Sequence, residues 1–246
     1  MRFLIISDIH ANLAALQAVL SDAKTFGFDA VWCLGDLVGY GPDPNGCIER
    51  IQDFDHVAVA GNHDWASLGK LNLEHFNVDA RAANTWTQEQ LSEASREYLE
   101  ALPTHLQQEG ITLTHGSPRE PIWEYILEVE QALINFRYFT TSICLVGHTH
   151  IPTAFLLDES KRQCHAYLSP YPAPLPIYSP NTRLILNPGS VGQPRDGDPR
   201  ASYAILDSDA GTWEHRRVEY AVEITQERMR ARNLPRRLIT RLQMGR

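Results

Sequence analysis

Residues 143–150 read ICLVGHTH: four strand-forming residues, a glycine, then two histidines one position apart. Taken alone, that octet fits a metal site, nucleophilic catalysis, or an ordinary polar strand end. The pattern recurs along the chain. RFLIIS (2–7) runs into Asp8-Ile9-His10, and AVWCLG (30–35) into Asp36. HVAVAG (56–61) leads to Asn62-His63-Asp64, and ITLT (111–114) to His115-Gly116. A helical stretch from Asn12, with Leu13, Leu16 and Leu20 on one face, stops near Gly27. A Gly/Pro-rich loop (GYGPDPNG, 39–46) and a short helix around Cys47 to Gln52 precede the third run. Strands alternating with helices predict βαβ units, a parallel sheet and an α/β fold.

From about Trp65 to Leu102 the chain is polar, with helical spacing and no strand signal, and reads as a helical flap. A short helix is expected near Glu128 to Phe136. Beyond His150, AFLLD, QCHAYL, RLILN, SYAILD and TWEHRRVEY look like short antiparallel strands. SPYPAPLPIYSP (169–180) is proline-dense and reads as an extended surface loop. With no internal repeat and no clear linker, one domain over residues 1–246 is expected.

The 246 residues are 43% hydrophobic and 9% aromatic, which argues for a packed core and against disorder. The apolar run near the N-terminus is broken by Ser7 and Asp8, too short for a signal-peptide core, and no run approaches a membrane span. A cytoplasmic protein without membrane attachment is the expectation. Cys33, Cys47, Cys144 and Cys164 show no C-x-x-C spacing, so neither a disulfide framework nor a cysteine-zinc site is favoured. A net charge of −8 makes nucleic acid an unlikely main partner. From Thr225 to Arg246, however, seven arginines stand against one glutamate, a net of +6. Leu234, Leu238 and Leu242 fall four apart there, so this tail reads as a basic amphipathic helix. It could dock on the protein's own acidic surface or meet an external anionic partner.

Ligands in open α/β sheets bind outside the carboxyl ends of the strands. Parallel neighbours would bring the five strand ends to one edge of one sheet. Side chains at i and i+2 of an extended segment share a side, so Asp8 with His10, and His148 with His150, can converge. That edge would hold two aspartates, one asparagine and four histidines, a ligand set for zinc, manganese or iron. Seven donors exceed one tetrahedral site and suit two ions with a bridging carboxylate. Five of the ten histidines lie in these few positions, which weighs against coincidence. There is no G-x-S-x-G, and neither Cys33 nor Cys144 sits at a strand-end turn, so serine or cysteine nucleophile chemistry is set aside.

With these residues in hand, the chain resembles the calcineurin-like metallophosphoesterase superfamily. The blocks are D-x-H at Asp8/His10, GD at Asp36, GNHD at Gly61 to Asp64, His115, and GH-x-H at Gly147 to His150. NPGSVGQPR (187–195) looks like the ending of the small bacterial phosphodiesterase branch. The resemblance implies a four-layer α/β/β/α sandwich of two mixed β-sheets. It implies two divalent metal ions: Asp8, His10 and His150 at the first, Asn62, His115 and His148 at the second, and Asp36 bridging. His63 would stand over the substrate, stabilising phosphoryl oxygens or protonating the leaving group, with Asp64 as its partner unless Asp64 is tied to the scaffold. The reaction implied is attack of a hydroxide between the metals on the phosphorus of a phosphodiester or phosphomonoester, on a small or nucleotide-like phosphorylated substrate. Alternatives are a protein phosphatase, a dinucleoside polyphosphate hydrolase, or a non-catalytic scaffold.

Substrate contacts are less legible. Asn12 could touch the site or cap the helix that follows it. Ser190, in Asn187 to Ser190, could sit among backbone donors near the metals or in a plain turn. Arg119 and Arg195 could grip a phosphate or lie on the surface. Tyr40, Trp65, Trp86 and Trp123 could stack on a nucleobase or bury the flap.

Overall fold

The computed structural model describes residues 1–168 and 174–246. The first half follows the expected alternation: β1 (Arg2–Ile6), α1 (Leu13–Phe26), β2 (Ala30–Cys33), α2 (Pro44–Gln52), β3 (His56–Ala58) and α3 (Asn62–Ser67). Two longer helices, α4 (Val78–Gln90) and α5 (Glu93–Ala101), make up the polar stretch. Then come β4 (His105–Gln108), β5 (Ile111–Thr114), α6 (Val129–Asn135) and β6 (Ile143–Leu145). Six strands follow: β7 (Thr153–Asp158), β8 (Gln163–Leu168), β9 (Leu175–Pro176), β10 (Thr182–Asn187), β11 (Ala201–Asp207) and β12 (Thr212–Val218). The chain closes with α7 (Val222–Ala231) and α8 (Arg236–Arg241).

Two six-stranded mixed sheets result, ordered β3-β2-β1-β11-β12-β9 and β4-β5-β6-β10-β7-β8. Alternation along the strands explains why they stack. In β1, Phe3 and Ile5 face Leu113, Leu145, Leu184 and Leu186 of the opposite sheet. Leu4 and Ile6 face Leu16, Val19 and Leu20 of α1 on the outer side. On the second sheet Leu184 and Leu186 point inward. Ile185 packs outward with Ala132 of α6 and with Phe136 and Phe139 beyond it. Each sheet is therefore apolar on both faces, one covered by helices and the other by its partner sheet, which gives the four-layer α/β/β/α sandwich.

The structure corrects several sequence expectations. The five strand ends do not share one sheet: β1, β2 and β3 belong to the first, β5 and β6 to the second. HLQQ was not read as a strand because Leu106 is its one apolar residue, yet β4 pairs antiparallel with β5. The helix expected at Cys47 starts earlier, at Pro44, a residue preorganised for a first turn. Among the later strands β10 departs from the antiparallel expectation by running parallel to β6. In SPYPAPLPIYSP, Leu175–Pro176 is a short strand on β12; residues 169–173 lie outside the described residues.

The basic tail is not one helix. Pro235 separates α7 from α8, and the tail docks on the protein itself. Met229, Leu234, Leu238, Ile239 and Leu242 pack with Tyr40 and with Ala80 and Ala83 of α4, and Trp86 lies against the same cluster. The contact is chiefly apolar, although Arg228 and Arg232 both pair with Asp43. No described helix is long and apolar enough to cross a membrane.

Candidate metal centre

Both sheets end at one place. Asp8 and His10 follow β1, Asp36 follows β2, Asn62 opens α3 after β3, His115 follows β5, and His148 and His150 follow β6. Their donor atoms form two groups: Asp8, His10, Asp36 and His150 in one, Asp36, His115 and His148 in the other. Within each group all donors lie within 4.8 Å of one another, and Asp36 belongs to both. Asn62 joins the second, its Oδ1 lying 3.1 Å from His115 Nε2.

The backbone is bent to achieve this. Asp8, His10, Asp36, His148 and His150 all have φ between 49° and 65°, the left-handed region that costs non-glycine residues energy. The chain is thus not extended here, and the i, i+2 expectation fails for His148 and His150, which join different groups. Gly61 permits a close approach to Asp36, since a Cβ there would stand 2.1 Å from Asp36 Oδ1. Asp64, in the first turn of α3, closes this corner through the Gly61 amide.

Each imidazole is turned the same way. His10 Nδ1 donates to the Val38 carbonyl (3.2 Å), His150 Nδ1 to Gln193 (2.6 Å), His115 Nδ1 to Leu34 (2.7 Å) and His148 Nε2 to Trp123 (3.2 Å). A donating outer nitrogen leaves the inner one as a lone pair. Two such pairs then face each other at 3.1 Å: His10 with His150, and His115 with His148. The aspartates behave alike. Asp8 Oδ2 accepts from the His148 amide and Asp36 Oδ1 from the His63 amide. Asp8 Oδ1 and Asp36 Oδ2 are buried and accept no hydrogen bond. Buried carboxylate oxygens and opposed lone pairs are unfavourable alone and are satisfied by cations, so these residues fit divalent ions. With no cation, burial lowers the His115 pKa, but the Asp36 and Asp8 carboxylates and the Leu34 carbonyl together raise it to about 9, a proton standing in for a metal. Burial also pushes Asp8 up, yet the facing His150 holds it well below the usual carboxylate range.

His63 lies beside these donor groups. Its ring is edge-on to His10 at 4.9 Å and packs on Tyr40 at 4.2 Å and Phe76 at 5.2 Å. Burial lowers its pKa to about 4. Its partner is not Asp64. His63 Nδ1 donates to Asn84 Oδ1 at 3.0 Å, while Asp64 accepts from the Val38 amide (3.1 Å) and the Gly61 amide (2.9 Å). Asp64 is tied to backbone donors, not to a cation, and burial raises its pKa to about 7. Gly39 lets His63 and Asn84 come this close, because a Cβ there would sit 2.7 Å from His63 Nδ1.

Of the four expected substrate contacts, three are turned to the scaffold. Asn12 caps α1, its Oδ1 accepting from Ala15 N and Thr225 Oγ1, and its Nδ2 donating to the Gly192 carbonyl. Ser190 Oγ donates to the Asp8 carbonyl and accepts from Gln193 N. Arg119 is paired with Glu124. Arg195 alone reaches the centre, its charge bearing on His63 and His150. Sequence reasoning missed Asn84 and Tyr125. Asn84 sits on the buried face of α4 among Ala80, Ala83 and Thr87, where a polar residue is the only signal. Tyr125 stacks on His148 at 4.0 Å and 11°, and nothing local marks it. Of the tryptophans, Trp86 faces the tail and Trp123 packs on Phe76 at 5.0 Å.

Two packed mixed sheets whose strand ends share a buried Asp/His cluster define a metallophosphatase-type protein. Residues 1–211 match the calcineurin-like phosphoesterase superfamily domain, and the chain belongs to that superfamily. It is 48% identical to a metallophosphoesterase from Sphaerobacter thermophilus, whose crystal structure superposes with a TM-score of 0.90 over 100% of this chain and 99% of that one. It is 37% identical to an uncharacterized protein of Methanocaldococcus jannaschii, over 98% of this chain and 97% of the relative. Phosphodiesterase YfcE of Escherichia coli is 27% identical, over 85% and 89%.

Proposed function

We propose that this protein is a dinuclear metal-dependent phosphoesterase that hydrolyses phosphodiester bonds of small or nucleotide-like substrates. The observation that carries the proposal is the pair of donor groups sharing Asp36, with an unsatisfied carboxylate oxygen in Asp8 and another in Asp36. Asp8, His10 and His150 would hold one ion, Asn62, His115 and His148 the other, and Asp36 both. Bound there, divalent ions would supply Lewis-acid stabilisation of phosphoryl oxygens and a water acidified toward neutral pH.

The chain's own residues do the rest. Asn84 fixes the His63 proton on Nδ1 and leaves Nε2 as a lone pair, which would first take up a proton from water and then hand it to the leaving oxygen. A pKa lowered to about 4 makes protonated His63 a strong acid and leaves the resting ring neutral. The carbonyls of Val38, Leu34, Trp123 and Gln193 keep the ligand rings from turning. The phosphodiesterase name of the YfcE relatives supports a diester preference.

The test is hydrolysis of bis(4-nitrophenyl) phosphate and 4-nitrophenyl phosphate by metal-stripped and manganese-loaded protein. Turnover of the diester that appears only on metal loading is expected. No turnover of either ester with two ions bound per chain would overturn the proposal.

A further inference from the structure

Arg195 and the end of the tail meet beside the centre. Arg195 Nη2 donates to neutral groups, the Tyr40 hydroxyl at 3.4 Å and Gln193 Oε1 at 3.1 Å. Its Nε is buried without a partner. Arg241 arrives from α8. Leu242, next to it, packs in one small space with His10, Tyr40 and Gln193. Gly245 lies against Asp198, and its carbonyl accepts from Gly197 N at 2.9 Å. The tail therefore runs along the loop that carries Arg195.

Arg241 Nε donates to the main-chain oxygen of Arg246, which leaves both terminal nitrogens for another acceptor. Burial and the like charge of Arg195 push the Arg241 pKa down to about 10, against a weaker pull from Asp79. Arg228 and Arg232, elsewhere on the tail, are paired with Asp43. Among the described residues neither Arg195 nor Arg241 is paired with an Asp or Glu side chain, as Arg228 and Arg232 are. Tyr40, whose hydroxyl takes Arg195 Nη2, packs with Leu238 and Leu242 on either side of Arg241 in the chain, and two guanidinium groups brought to one partly buried spot are unfavourable unless an anion joins them. Their planar forks match phosphate oxygens. Tyr125 connects this spot to the metal ligands, its ring stacked on His148 and its hydroxyl beside Arg195.

We infer that Arg195 and Arg241 form an anion subsite beside the metal centre that takes a second phosphoryl group of the substrate. The substrate class is then a phosphoester carrying a phosphate besides the scissile one, such as a nucleoside bisphosphate ester. The assignment rests on the hydrolysis proposed above and adds a role for the C-terminal tail.

The experiment compares thymidine 5′-(4-nitrophenyl phosphate) with and without a 3′-phosphate, using manganese-loaded full-length protein. The 3′-phosphate is expected to lower KM about tenfold, equivalent to about 1.4 kcal/mol. Arg241→Gln brings that ratio close to one, whereas Arg241→Lys keeps most of it; melting curves check that both variants are folded. A wild-type ratio of one, or an Arg241→Gln variant that keeps the preference, would overturn the subsite. Calorimetric titration with thymidine 3′,5′-bisphosphate and thymidine 5′-phosphate separates the two proposals. Arg241-dependent tighter binding of the bisphosphate without turnover would sink the hydrolysis and leave the subsite. Equal affinity would sink the subsite alone.

Discussion

At the amino end of β1, Arg2 Nε meets Asp207 Oδ2 at 2.8 Å and the amino group of Met1 meets Asp209 Oδ2 at 2.6 Å. Arg2, Met1 and Asp209 are more than half exposed. At the carboxyl end of the same strand, Asp8 is fully buried and one of its oxygens has no partner. Aspartates serve at both ends. Where water can screen and solvate them, they form closed pairs that cost little to make and contribute little. Where two sheets close over them, left-handed backbone holds Asp8, His10, Asp36, His148 and His150 with their charge and lone pairs unanswered. The difference lies in burial and strain, and it marks the functional edge.

The largest expected effect comes from Asp36, which both donor groups share. Asp36→Asn should deplete both ions in metal analysis and reduce hydrolysis by roughly 10³-fold or more. Full retention of two ions would break the assignment of a shared ligand. Next comes His63, whose bond to Asn84 separates chemistry from metal binding. His63→Ala should lower kcat by about 10²–10⁴-fold with metal content intact, and Asn84→Ala by only about 10-fold. Loss of metal from His63→Ala in step with activity would place His63 among the ligands instead. The smallest effect belongs to the other end of the strand. Arg2→Ala should shift the melting temperature by no more than about 2 °C and leave hydrolysis unchanged. A large fall in activity would erase the contrast between the two ends.

What could be read in advance follows from the range of each interaction. Alternating residues of β1 and β10 report two covered faces, and α1 announces itself through Asn12, its apolar face and Gly27. The candidate metal-binding residues are visible because Asp, Asn and His recur together at successive strand ends, where ligands bind in α/β sheets. The sequence left alternatives open where local pattern was silent. Asp64 neighbours His63 in sequence, yet the first turn of α3 directs its carboxylate to the amides of Val38 and Gly61. Asn12, Ser190 and Arg119 are polar residues near a site, but their side chains are bound to the cap, the Asp8 loop and Glu124.

The strand–helix alternation of the first half, the Asp, Asn and His residues gathered at strand ends and the amphipathic character of the tail were determined by the sequence itself, since each depends on residues a few positions apart. Which histidine joins which group, that Asn84 of α4 orients His63, and that the tail packs on Tyr40, whose hydroxyl meets Arg195, were decided only by the folded chain. Those pairings join residues far apart in sequence through left-handed turns and the closure of two sheets, for which periodicity carries no record.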